Sequence, residues 1–168
     1  RYSNHSEILV SSQIRDERFA VVLNNPSISI RSSWMLSASS CNRTQPLEGM
    51  RRPPWVVDLT TINLSLASIH TSPSYIDQDF SELNSFIDQN PNIIFLGDFN
   101  TRCDSPLLSN HHITLVPTPI RTAHGVPCAI DNILIPKSLQ KSIIRTGRTY
   151  IADKKISDHH IIWFEIVI

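Results

Sequence analysis

Excess positive charge is missing from this sequence: 15 Lys and Arg stand against 15 Asp and Glu, with a pI near 7.2. A nucleic-acid ligand therefore does not follow from charge, and would need a local patch or a metal ion to offset phosphates. No apolar run reaches the roughly 20 residues of a membrane-spanning helix. Cysteines are few, and Cys41, Cys103 and Cys128 include no CxxC pair, which argues against a structural zinc site. They allow one disulfide with one thiol left over, or reduced thiols throughout. No internal repeat or linker divides the 168 residues, which suffice for a single domain, 1–168, with a real core. No leader is visible, but the chain opens at Arg1 without a Met. That start reads as a cut, so nothing about export follows from it. Asn4, Asn42 and Asn63 each open an Asn-X-Ser/Thr glycosylation pattern, a weak signal in an Asn- and Ser-rich chain.

What is present is organised around residues 93–100, IIFLGDFN. The run Ile93–Leu96 suits a buried strand, Gly97 breaks it, and Asp98 and Asn100 follow. A carboxylate and an amide two residues apart at a strand end can point the same way. Such a pair can hold a divalent cation and orient a phosphate oxygen. It also suits an ordinary Asp/Asn turn. Before it, the pattern predicts strands at 7–12, 19–23, 55–60 and 64–70, with an irregular excursion over 26–54. Ile76, Phe80, Leu83 and Ile87 fall on one face of a helix over 74–89, which Asn90-Pro91 ends. After it come an irregular stretch over 101–125 and strands at 129–135 and 160–167. Strand pairs, one helix and further strands indicate a layered α/β protein with largely antiparallel sheets.

Three more polar sites sit at predicted strand ends: His70, Asp131, and Ser157-Asp158-His159-His160. Each alone has an ordinary reading, a strand-end His most often being a solvated turn residue. Asp131 lies inside an apolar run, where an unpaired carboxylate is costly, so it needs a partner, and a histidine is a natural one. Taken together these residues outline a metal-assisted hydrolytic site.

With GDFN, Ser-Asp-His, the strand-terminal His70 and Ile130-Asp131-Asn132-Ile133 in view, the chain resembles the endonuclease/exonuclease/phosphatase superfamily, and within it the deoxyribonuclease I-like branch. Arg52-Pro53-Pro54, Ile69-His70-Thr71-Ser72-Pro73 and Cys128-Ala129-Ile130-Asp131 follow that branch's pattern. The resemblance implies an α/β/β/α sandwich and a magnesium-dependent phosphodiesterase, with calcium or manganese as other candidate ions. It implies DNA as substrate, hydrolysed by an endonuclease. His70 would be the general acid, oriented by Glu7, and His159 the general base, oriented by Asp131. Asp98 and Asn100 would bind the scissile phosphate, Asp98 and Asp158 the metal, and Arg52 a substrate phosphate. The resemblance also implies a Cys103–Cys128 disulfide, and with it secretion or another oxidising compartment.

The sequence departs from the family pattern at its start. The family's first strand with a catalytic Asn, and a later strand with a metal-binding Glu, have no counterpart, so the sandwich is expected to be incomplete at the N-terminus. Residues 1–168 alone are then expected to show negligible nuclease activity. Two further readings stay open: an inactive relative that serves as a binding module for a protein partner, and a phospholipid or inositol-phosphate hydrolase.

Overall fold

Side-chain alternation explains the layering of this chain. In Trp55–Leu59, residues Trp55, Val57 and Leu59 face one side and Val56 the other, and all four are buried. A strand that is apolar on both sides must be covered on both sides. A computed structural model describes residues 7–11, 19–23, 27–35, 52–60, 62–71, 76–100, 112–115, 131–149, 159 and 161–167. In chain order its strands are β1 (Glu7–Val10), β2 (Ala20–Leu23), β3 (Ile30–Met35), β4 (Trp55–Leu59) and β5 (Ser65–His70). After the helix α1 (Ile76–Gln89) come β6 (Ile93–Asp98), β7 (His112–Thr114), β8 (Asp131–Pro136), β9 (Ile143–Thr149) and β10 (Ile161–Ile166).

Six strands form one sheet in the order β3-β4-β5-β6-β8-β7. Its pairs are antiparallel except β5 with β6, which α1 joins as a crossover. The helix lays Leu83, Phe86 and Ile87 on Val56, Ala67, Ile69, Phe95 and Leu134, and the Phe86 ring meets Phe95 edge-on at 5.7 Å. Asn90 closes the helix by donating from Nδ2 to the Phe86 carbonyl, and Pro91 prevents continuation. Two antiparallel ribbons cover the opposite face of the sheet. β1–β2 packs Leu9, Val21 and Leu23 on Trp55, Val57 and Leu59, and β9–β10 packs Ile162, Phe164 and Ile166 on Ile94, Ile133 and Ile135. Helix, sheet and ribbons together make a layered α/β sandwich. One helix layer lies among the described residues, and Ile8, Val10, Val22, Ile161 and Trp163 are exposed on the ribbons.

Three strands lie where the residue pattern predicts none. β3 falls inside the supposed excursion 26–54, and β7 inside the stretch 101–125. β9 follows a 3₁₀ segment at Lys137–Ser142. β3 and β7 are the sheet's two edges, where pairing to one neighbour suffices and apolar alternation is not required. In β9, Gly147 and two arginines interrupt any pattern, and the strand is held by its pairing with β10.

Candidate active site

Three neighbouring strands of the six-stranded sheet bring their polar ends together. β5 ends at His70, β6 ends at Asp98 and β8 begins at Asp131. The parallel register places His70 opposite Asp98, and the antiparallel register places Asp98 opposite Asp131. Gly97 makes this approach possible. A Cβ there would sit 2.0 Å from the Ile69 carbonyl oxygen, and the residue has φ +136°, a conformation L side chains rarely adopt.

The fourth member, His159, comes from just before β10. Its Nδ1 lies 2.8 Å from Asp131 Oδ2, and its Nε2 lies 3.9 Å from Asp98 Oδ2. From the other side His70 Nε2 reaches the same Asp98 oxygen at 3.6 Å. The two imidazoles thus flank one carboxylate. The carboxylates of Asp98 and Asp131 are recessed at 13% and 16% exposure, whereas His70 and His159 stand more open at 31% and 40%. Arg52 Nη1 lies 2.9 Å from His70 Nε2, and because a guanidinium only donates, that nitrogen accepts.

Asn100 turns back into the site with φ +45°, and its backbone N–H donates to Asp98 Oδ1 at 2.8 Å. Its Nδ2 donates to the Thr71 carbonyl at 2.8 Å. Burial holds the Asp98 carboxyl above the usual carboxylate range. The Asn100 N–H opposes that shift, nearby Asp131 adds to it, and the two imidazoles oppose it more weakly.

Asp98, Asp131 and His159 offer ligand atoms within 4.8 Å of one another. The Nδ1 of His159 is committed to Asp131, so the carboxylate oxygens and the His159 Nε2 are the donors that remain for an ion. Recessed carboxylates, with the Asn100 amide beside them, suit a hard divalent cation that completes its shell with water and phosphate oxygens. The donor set fits the magnesium implied by the resemblance.

The structure therefore brings His70, Asp98, Asn100, Asp131, His159 and Arg52 into one place. The Glu7 backbone lies in β1, while its side chain lies outside the described residues, as do Asp158, Cys103 and Cys128. The sequence reading missed Thr71, which is fully buried beside His70 and bonded to the 98–100 turn. It also missed why Gly97 is glycine, although a glycine at a strand end is itself a signal of close backbone approach.

The sequence pattern of the Endonuclease/Exonuclease/phosphatase family matches residues 23–159. The chain belongs to that family. As a member of the endonuclease/exonuclease/phosphatase family it is a hydrolase of the nuclease and phosphodiesterase kind, a class that typically works with a divalent metal. Solved structures share its fold. A 3′ phosphatase, NExo, from Neisseria, bound to product DNA hairpin, aligns with TM-score 0.64 and 13% identity over 97% of this chain and 80% of its own. A truncated TDP2 from Caenorhabditis elegans aligns with TM-score 0.60 and 16% identity over 94% of this chain and 73% of its own. TDP2 from D. rerio, complexed with single strand DNA product, aligns with TM-score 0.60 and 12% identity over 86% and 68%. No curated protein sequence matches the chain. No helix among the described residues is long and apolar enough to cross a membrane.

Proposed function

We propose that this site hydrolyses phosphodiester bonds in DNA with the help of magnesium, using His159 as general base and His70 as general acid. The observation that carries the reading is the convergence of both imidazoles on Asp98 Oδ2, with Asp131 bonded behind His159. A carboxylate on Nδ1 fixes the His159 tautomer so that Nε2 is the acceptor, and it stabilises the imidazolium formed when a water gives up its proton. His70 Nε2 faces Arg52, and Glu7 is proposed to orient its ring. A guanidinium matches a phosphate oxygen well, so in this proposal Arg52 shifts to the substrate, and His70 Nε2, no longer its acceptor, takes a proton from solvent and presents that N–H to the departing oxygen. The proton accepted at His159 and the proton released at His70 balance over one hydrolysis.

Asp98, with Asp131 and Asn100 at its side, would hold the cation, and Asp158 is proposed as a further ligand. When bound, the ion would offset charge developing on the phosphate. This offset also reconciles a neutral chain with a polyanionic substrate, since charge alone gives no general affinity for DNA. Structural likeness to proteins solved with DNA supports this substrate over a lipid or inositol phosphate. The test is cleavage of supercoiled plasmid, phosphatidylinositol phosphates and inositol phosphates side by side, with Mg²⁺ and with EDTA. EDTA-sensitive nicking of plasmid is the expected result. Turnover of the lipid or inositol substrates alone would overturn the assignment to DNA.

A further inference from the structure

Where β5 runs past His70 into the site, the next residue makes three bonds to the turn that carries Asp98 and Asn100. The Thr71 N–H donates to the Asp98 carbonyl at 3.0 Å, its hydroxyl donates to the Phe99 carbonyl, and its own carbonyl accepts from Asn100 Nδ2 at 2.8 Å. Thr71 is 0% exposed, so it touches no substrate. Asn100 has φ +45°, a conformation that costs free energy for a residue other than glycine and persists only when its surroundings enforce it. Asn100 in turn donates its N–H to Asp98 Oδ1. One amide hydrogen of Asn100 is thus spent on Thr71.

We propose that Thr71 is a positioning residue of the hydrolytic site: its buried hydroxyl clamps the 98–100 turn and so aims Asn100 and Asp98 at the phosphate and cation. Without the hydroxyl the buried Phe99 carbonyl loses its donor, a loss that favours a rearranged turn. The relaxed turn would release Asn100 from the left-handed conformation and carry its amide away from the cleft. The proposal rests on the hydrolytic reading above, while the clamp itself can be judged without any activity.

The variants are Thr71→Val, which keeps the shape and removes the hydroxyl, and Thr71→Ser, which keeps the hydroxyl. Native-state hydrogen exchange is followed at the Asn100 amide, with Phe95 and Ile133 in the central strands as references. Thr71→Val is expected to speed exchange at Asn100 by roughly tenfold while the references hold, and Thr71→Ser to behave as wild type. In plasmid nicking, Thr71→Val should lower kcat by about tenfold with KM little changed, and Thr71→Ser should restore it. Unchanged exchange at Asn100, or equal acceleration in Phe95 and Ile133, would overturn the clamp. Local acceleration with unchanged kcat would overturn its role in positioning. A wild-type protein that cleaves no phosphodiester with any divalent cation would instead contradict the hydrolytic reading, and exchange would still decide the clamp.

Discussion

Asp98 is the residue on which the two histidines meet, and its protonation links the site to stability. Burial raises its pKa in the folded state above the ordinary 3.8. A group shifted this way stabilises the fold below its unfolded pKa, and that contribution is lost as pH rises through the folded pKa. At neutral pH the buried carboxylate is therefore a cost. Asp98→Asn removes the charge while its amide oxygen can still accept the Asn100 N–H. In metal-free buffer its melting midpoint should exceed that of wild type at pH 7, with the gap closing below the ordinary carboxylate pKa. Thermal melts across pH decide this, and a variant less stable than wild type at pH 7 would contradict it. Activity should move the opposite way. His70→Ala should cost about 10²-fold or more in kcat, as expected of a lost general acid, and Asp131→Asn should also impair turnover because His159 would lose the partner that fixes its tautomer. Steady-state kinetics on folded variants check both.

At the scale of elements, α1 and the β5–β6 pair set the geometry. Leu83 is fully buried between helix and sheet, so Leu83→Ala should destabilise by roughly 2–5 kcal/mol in denaturant melts. A change near zero would show that this helix face does not hold the fold. Gly97→Ala drives a Cβ into the Ile69 carbonyl at an unfavourable φ, and should cost roughly 1–3 kcal/mol or more and displace His70 from Asp98. How legible these elements were in the sequence follows their burial. The helix face of Leu83 and Ile87 and the apolar strands β4, β6 and β8 were readable because burial imposes a pattern on them. β3 and β7 were not, since edge strands are fixed by pairing with a neighbour rather than by their own apolar period. The site divides in the same way. His70, Asp98, Asn100, Asp131 and His159 were visible as polar residues where apolar runs end. The bonds of Thr71 were invisible, because a hydroxyl beside a strand end carries no signal until the turn it clamps is known.

Across the whole molecule, one sheet serves two purposes. Its faces are apolar and are covered by the helix on one side and the ribbons on the other, while the ends of β5, β6 and the start of β8 remain polar and open. A site built at strand ends inherits the rigidity of the sheet and leaves specificity to the segments around it. His159, held by Asp131, is proposed to activate water in a metal-assisted cleavage of DNA. The most direct measurement is plasmid nicking by the protein carrying residues 1–168 in its natural sequence context, as wild type and as His159→Ala, each with Mg²⁺ and with EDTA. The expected result is nicking by wild type that EDTA abolishes, and a loss of about 10²-fold or more in His159→Ala with its fold intact. A His159→Ala protein that nicks as fast as wild type would contradict a general-base role for His159.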